Sequence, residues 1–143
     1  SIKFKALNYL SYRSRSKKEV NISLLKKGFH QDDIDKVLEE LVAKGYLNDK
    51  AFAKTYARYL IKTKRLGRIA VKNRFFVHSI NQEVLNPILD KLYDKYPPEL
   101  LIGEIVKKKK YPNDFDMIND KKLVNHLKRK GFSWSEISTY FNC

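Results

Sequence analysis

The feature that most constrains the fold is an internal repeat of a three-helix pattern. Apolar residues recur at spacings of three and four, which is typical of amphipathic helices, and the same apolar positions return at offsets of 51 and 103. The corresponding residues are Val20, Val71 and Leu123, followed four positions later by Leu24, Phe75 and Leu127. The sequence therefore predicts an all-α fold made of three tandem three-helix repeats, each similar to a helix-turn-helix unit.

We place the three repeats at residues 1–46, 47–96 and 97–143. Gly45 ends the last helix of the first repeat. The pair Pro97-Pro98 separates the second repeat from the third, because the residue before a proline avoids helical angles. A unit of about 48 residues is too small for a strong core of its own, so neighbouring repeats must pack on one another. We expect an elongated, curved molecule.

Capping signals predict where several helices begin and end. Ser16 and Glu19 have the S-x-x-E spacing of a capping box, and Asn48 can cap the helix that opens the second repeat. Gly28 can end a helix in the left-handed conformation, and Asn119 stands where Ser16 does in the first repeat. These signals predict sharply defined helix ends.

Helical spacing also predicts which side chains face the core. In the first repeat, these are Ala6, Leu7, Leu10, Val20, Leu24, Leu25, Ile34, Val37, Leu38, Leu41 and Val42. The aromatic residues at helical spacing are assigned to the core rather than to a binding surface, namely Phe52, Tyr56, Tyr59, Phe75, Phe132 and Tyr140. In the third repeat, a longer connection runs from Tyr111 to Asn119.

The charge points to an anionic partner. The formal net charge is +14, from 30 Lys and Arg against 16 Asp and Glu, and such a chain repels itself unless an anionic partner or salt offsets it. Nucleic acid is the first partner that this balance suggests, ahead of acidic protein surfaces and anionic membranes. A lysine-rich surface without a partner is the alternative.

The basic residues form three clusters, each near the junction of the first and second helices of a repeat. They are Arg13, Arg15, Lys17 and Lys18; then Lys62, Lys64, Arg65, Arg68, Lys72 and Arg74; then Lys107, Lys108, Lys109, Lys110, Lys121, Lys122, Lys128, Arg129 and Lys130. Repeats that stack in one sense would align the clusters in a single stripe, suited to backbone phosphates or an acidic groove. About half of these residues could instead be solvated helix ends that complement the helix dipole.

The sequence offers no pattern for catalysis or metal binding. There is no phosphate-cradling glycine loop, nucleophile elbow or pair of catalytic carboxylates, so we expect no enzyme activity and no cofactor. The histidines His30, His78 and His126 occupy different positions in their repeats, and the single cysteine, Cys143, excludes an internal disulfide.

No apolar run approaches the roughly 18 residues that would span a bilayer, and no signal segment opens the chain. We expect a soluble, cytoplasmic protein that makes no membrane contact.

Four motifs in order resemble the RecX family, the regulators of the RecA recombinase. The motifs are Ala6-Leu7-Asn8-Tyr9-Leu10 with Arg13-Ser14-Arg15-Ser16, Gly45-Tyr46-Leu47-Asn48-Asp49 with Phe52-Ala53, Gly67-Arg68-Ile69, and Gly131-Phe132-Ser133. The resemblance covers essentially the whole chain. It implies a monomeric, non-enzymatic protein of DNA recombination, repair and the SOS response. Such a protein binds RecA on single-stranded DNA, lies in the filament groove, and suppresses ATP hydrolysis and strand exchange or promotes disassembly.

The chain departs from the family pattern at Ser79, where glycine is usual, and we expect another turn geometry there. Family members often carry further N-terminal sequence, so the resemblance leaves open whether this chain is a fragment.

Two other functions stay open. A stand-alone helix-turn-helix protein would read duplex DNA with the last helix of a repeat, but that helix is acidic in the first repeat (Asp32, Asp33 and Asp35). A helical scaffold that binds only proteins is the third possibility.

Overall fold

The fold is all-α, as the sequence predicts. The computed structural model describes residues 1–110 and 116–141, and within these ranges there are nine α-helices and no strand. The helices are α1 (Ile2–Tyr12), α2 (Lys17–Lys26), α3 (Gln31–Ala43), α4 (Asp49–Arg58), α5 (Arg68–Phe75), α6 (Gln82–Lys95), α7 (Pro98–Lys108), α8 (Lys121–Arg129) and α9 (Trp134–Tyr140).

Three shorter helical segments complete the described chain: a π-helix at Tyr59–Thr63 and 3-10 turns at Phe76–His78 and Met117–Asn119. The nine α-helices fall into three successive groups of three. The first part of the predicted long connection, residues 111–115, lies outside the described residues, as does Cys143.

The contacts divide the chain into two compact units. The N-terminal unit comprises Ser1–Thr55 and Phe76–Leu85, and the C-terminal unit comprises Tyr56–Phe75 and Asn86–Cys143. The predicted second repeat contributes residues to both units. The repeat boundaries at residues 46 and 96 stay a prediction.

The core of the N-terminal unit is formed mainly by the first three helices. Its buried residues are Ala6, Val20, Leu24, Ile34, Val37, Leu38, Leu41 and Leu47, with Leu7, Tyr9 and Leu10 half-buried against them. The inward positions predicted for Leu25 and Val42 are wrong, because these side chains are 44% and 47% exposed. Each follows a buried leucine by one residue, and one helical step of about 100° turns it away from the core.

The predicted helix ends are confirmed at most positions. Ser16 Oγ accepts from the Glu19 N–H at 3.2 Å, and the Glu19 carboxylate accepts from the Ser16 N–H at 3.0 Å, which completes the capping box. Asn48 Oδ1 accepts from the Ala51 N–H at 3.1 Å. The cap predicted at Asn119 is wrong: the 3-10 turn places Asp120 at the start of α8, where its side chain accepts from Lys122.

The corner at Ser79 keeps the geometry of its glycine counterparts, so the expectation of another turn is wrong. Ser79 has a φ of 53°, in the left-handed region, where Gly28 and Gly131 have φ values of 91° and 100°. A side chain in this region costs about 1–2 kcal/mol relative to a right-handed conformation. The third helix of each repeat therefore follows a left-handed residue.

In the C-terminal unit, apolar residues of α5, α6, α7, α8 and α9 contribute to the core. Phe75 and Phe132 are buried, and the rings of Tyr56 and Phe75 pack with their centroids 5.2 Å apart. The core position predicted for Tyr59 is wrong, since this side chain is 46% exposed. The π-helix begins at Tyr59, and its wider turn brings Leu60 and Ile61 inward instead.

Candidate nucleic-acid and filament interface

In the N-terminal unit, two of the four predicted basic residues make local pairs. The Arg13 guanidinium lies 2.6 Å from the Glu19 carboxylate. The Arg15 guanidinium stacks on the Tyr9 ring at 3.9 Å and is only 14% exposed. Lys17 and Lys18 are exposed, as is Arg13, so a partner could reach these three cations.

The start of α2, which carries these lysines, is fixed by two side chains from distant parts of the sequence. Asp49 Oδ1 accepts from the Lys17 N–H at 2.8 Å, and His78 Nδ1 lies 2.7 Å from Ser16 Oγ. The His78 ring also packs against Phe52, with the two centroids 4.8 Å apart. These contacts hold the backbone at the start of α2, which carries Lys17 and Lys18.

His78 is the buried ionisable group that sequence reasoning missed. Burial lowers the pKa of His78, and the Glu19 carboxylate, 3.7 Å away, partly opposes the shift. Burial also acts on Glu19, but hydrogen bonds from Arg13 and Ser16 hold the pKa of that carboxyl below its usual value. The sequence carries no spacing signal for His78, because its partner Ser16 lies 62 residues earlier.

In the C-terminal unit, two glycines allow two segments of backbone to touch. The Gly67 N–H donates to the Lys130 carbonyl oxygen at 2.7 Å. A Cβ on Gly67 would overlap the Gly131 carbonyl, and a Cβ on Gly131 would overlap Ala70. Only glycine at both positions permits this approach, which joins the start of α5 to the corner between α8 and α9.

This backbone contact gathers basic residues from three segments of the sequence. The Lys130 ammonium donates to the Lys64 carbonyl oxygen. Burial and the positive charges of Arg65, Lys64, Lys108 and Arg74, in that order, lower the pKa of Lys130. We call these five residues, Lys64, Arg65, Arg74, Lys108 and Lys130, the C-terminal basic cluster.

The ion pair described for this cluster is a long one. The Glu104 carboxylate lies 3.7 Å from Arg65 Nε, too far for a hydrogen bond. Arg65 Nε is buried, and within the described residues no acceptor bonds it. The positive field extends to His126, whose pKa is lowered by burial and by Lys109, Lys130 and Arg129. The arrangement therefore suits an anion with several charges.

The remaining predicted basic residues are not brought into this cluster by any described contact. Arg68 is 2.7 Å from Asp90, in a partly exposed ion pair, and Lys128 lies over the Trp134 ring, 5.6 Å from its centroid. The others are Lys62, Lys72, Lys107, Lys109, Lys110, Lys121, Lys122 and Arg129, which are exposed except for the half-buried Lys72. The single stripe along all three repeats stays a prediction.

The described residues offer neither a metal site nor a membrane-spanning helix. Across residues 1–110 and 116–141, no group of three His, Cys, Asp or Glu side chains is arranged to hold a metal ion. None of the helices in these ranges is long and apolar enough to cross a bilayer.

Comparisons with known proteins identify the family. A family model described as RecX, first three-helix domain, matches residues 3–41. A Bacillus licheniformis protein named "Regulatory protein RecX" is 33% identical over 135 residues, covering 94% of this chain and 51% of that protein. The crystal structure of RecX from Lactobacillus salivarius superposes with a TM-score of 0.77 at 28% identity, covering 99% of this chain and 92% of that one. The chain belongs to the RecX family.

Other RecX proteins show the same relationship. A Listeria monocytogenes serotype 4a protein, also named "Regulatory protein RecX", is 28% identical over 130 residues, covering 90% of this chain and 48% of that protein. A second structure described as regulatory protein RecX, at 22% identity and a TM-score of 0.78, shares the fold. The chain spans about half the length of the curated RecX relatives it matches. Membership places it in a family of regulatory proteins.

Proposed function

We propose that this chain regulates homologous recombination and DNA repair by binding the RecA filament on single-stranded DNA and lowering its ATP hydrolysis and strand exchange. The observation that carries the proposal is the C-terminal basic cluster in a member of the RecX family. There Lys130 donates to the Lys64 carbonyl oxygen, and the positive charges of Arg65, Lys64, Lys108 and Arg74 act on the Lys130 ammonium. A nucleoprotein filament offers a continuous line of phosphates to such a cluster.

The charge of the cluster determines how binding depends on salt. Each phosphate that a cation neutralises on a single strand releases counterions and contributes about −0.7 to the slope of log affinity against log salt. If all five cations of the cluster engage phosphates, the slope is about −3.5. Cations of the N-terminal unit, chiefly Lys17 and Lys18, would make it steeper. A flat salt dependence would mean that the contacts are to protein and not to phosphate.

Inhibition of ATP hydrolysis requires a preference between states of the filament. A bound protein shifts an equilibrium only by its difference in affinity for the two states. The regulator must therefore bind the filament state that hydrolyses ATP slowly more tightly than the state that turns over.

The direct test adds the protein to RecA assembled on single-stranded DNA and follows ATP hydrolysis together with filament mass. We expect turnover to fall as the protein is titrated, with half-saturation that weakens as salt rises. Unchanged turnover and unchanged filament mass at saturating protein would contradict the proposal.

A stand-alone helix-turn-helix protein is the second candidate. It requires tight, sequence-selective binding to duplex DNA without a recombinase. The exposed face of α3 carries Asp32, Asp33 and Asp35, and α9 has no Arg or Lys, so neither helix suits a DNA groove. Equal affinity for random and selected duplexes would exclude this candidate.

A further inference from the structure

The C-terminal unit exposes two aromatic rings, and each has a lysine beside it. Trp134, the single tryptophan of the chain, is 52% exposed, and Lys128 Nζ lies 5.6 Å from its ring centroid. Tyr59 is 46% exposed, and Lys64 Nζ lies 5.9 Å from its ring centroid. The other aromatic side chains described in this unit are buried or half-buried. These two rings are therefore unlike the aromatic residues that fill the core.

Both rings are joined to the C-terminal basic cluster by short stretches of chain. Lys64 is a member of the cluster and reaches Lys130 through its own carbonyl oxygen. Trp134 follows Lys130 by four residues, a separation of at most about 14 Å. The turn between them is held against α5 by the contact of Gly67 with Lys130. Each exposed ring thus lies close along the chain to a member of the C-terminal basic cluster.

We propose that this region is a base-stacking platform for single-stranded DNA, in which backbone phosphates bind the C-terminal basic cluster and unpaired bases stack on Trp134 and Tyr59. The inference deepens the proposed function and rests on it for the biological source of the single strand. Non-specific single-strand binding sites combine a positive groove with aromatic side chains, because every base has a π face. An acidic protein surface would account for the cations alone. A single strand accounts for both features, because its phosphates bind the cations and its bases stack on the exposed rings.

The geometry at Trp134 also allows a base to replace Lys128 on the ring. Lys128 Nζ lies 5.6 Å from the centroid of the Trp134 ring, and Trp134 is 52% exposed. The attraction of the Lys128 ammonium to the Trp134 ring is weak at such an exposed site. A base that covers the ring would release Lys128 to a neighbouring phosphate. Duplex DNA cannot do this, because its bases are already stacked.

The test uses the fluorescence of Trp134 in the full chain without RecA. Because the chain has one tryptophan, the signal reports this ring alone. A thymidine oligonucleotide of about 12 nucleotides is compared with an abasic strand that has the same number of phosphates. We expect the thymidine strand to quench the fluorescence, and the abasic strand and a duplex to bind without quenching it.

Variants separate stacking from charge. Trp134→Leu should weaken binding of a dye-labelled thymidine strand about tenfold and leave the abasic strand within about twofold, since one stacked base contributes at about that level. Trp134→Phe keeps a ring and should recover most of the loss. Phe4→Leu, which removes another exposed aromatic side chain, is the matched control and should bind as the wild type does.

Three results would overturn the inference: no binding of the thymidine strand at low salt, equal quenching by both strands, or an unchanged affinity in Trp134→Leu. If any of these is found while the protein still lowers RecA turnover, stacking is wrong and the proposed function stands. If stacking is found and RecA turnover is unchanged, the proposed function is wrong. Loss of the effect on RecA in Trp134→Leu without loss of oligonucleotide binding would assign the ring to a protein contact instead.

Discussion

Replacing Gly131 by alanine tests the contact that assembles the C-terminal basic cluster. The structure provides a matched control, because Gly28 has a similar positive φ at the equivalent corner of the first repeat but nothing within 4 Å of a Cβ placed there. Gly28→Ala should therefore lose only the conformational preference of glycine, about 1–2 kcal/mol. Gly131→Ala carries the same loss and must also separate its backbone from Ala70.

The additional loss at Gly131 can be worked from two contributions. Forcing a methyl group into a packed site costs about 1–3 kcal/mol. Loss of the hydrogen bond from Gly67 to the Lys130 carbonyl adds about 1 kcal/mol. We therefore expect Gly131→Ala to lower the free energy of unfolding by about 2–4 kcal/mol more than Gly28→Ala, a large share of a typical domain's stability.

Urea unfolding followed by far-UV circular dichroism measures this difference, because α-helices are present in the unit that contains Gly28 and in the unit that contains Gly131. The same variant should bind single-stranded DNA more weakly, since Lys64 and Lys130 are no longer held together. Equal losses in Gly131→Ala and Gly28→Ala would refute the role given to the contact.

Three further predictions concern the N-terminal unit. Ser79→Gly should raise the free energy of unfolding by about 0.5 kcal/mol in urea, because the relief of a left-handed side chain exceeds the added entropy of the unfolded chain; a loss of stability would contradict this. Folded His78 has a lowered pKa, so its stabilising contribution is complete above the unfolded pKa near 6.5 and is lost as pH falls through the folded pKa. The free energy of unfolding should therefore fall more between pH 7.5 and pH 5.5 in wild type than in His78→Asn. Equal falls in the two proteins would contradict this role of His78. Ser16→Ala should cost about 2 kcal/mol in urea, because it removes both the cap of α2 and the hydrogen bond between Ser16 Oγ and His78 Nδ1, whereas a loss below about 0.5 kcal/mol would show that neither bond matters.

The helices could be predicted from local signals because their determinants are local. The capping box at Ser16, the cap at Asn48 and the left-handed glycine at Gly28 each act over three or four residues, and all are confirmed. Two of the errors arose where a neighbouring turn changed the register. The π-helix moved Tyr59 to the surface, and a 3-10 turn moved the cap of α8 from Asn119 to Asp120.

The candidate site could be predicted only in part. Charge runs identified the cations of the C-terminal basic cluster, and the resemblance singled out Gly67 and Gly131 as motif glycines. The sequence could not show that these glycines touch, because a backbone contact over 64 residues depends on the packing of the whole unit. His78 was missed for the same reason, and Trp134 was passed over because exposure cannot be read from helical spacing alone.

The most direct test of the central claim is the turnover of RecA on single-stranded DNA with two charge-reversal variants. The first is Lys64→Glu, Arg74→Glu, Lys108→Glu, three exposed members of the cluster. The second is Lys26→Glu, Lys36→Glu, Lys50→Glu, three exposed lysines outside every predicted cluster, with the same change in net charge. We predict that wild type and the second variant lower ATP hydrolysis at similar concentrations, and that the first needs at least tenfold more protein. Equal inhibition by all three, or none by wild type at saturation, would contradict the account.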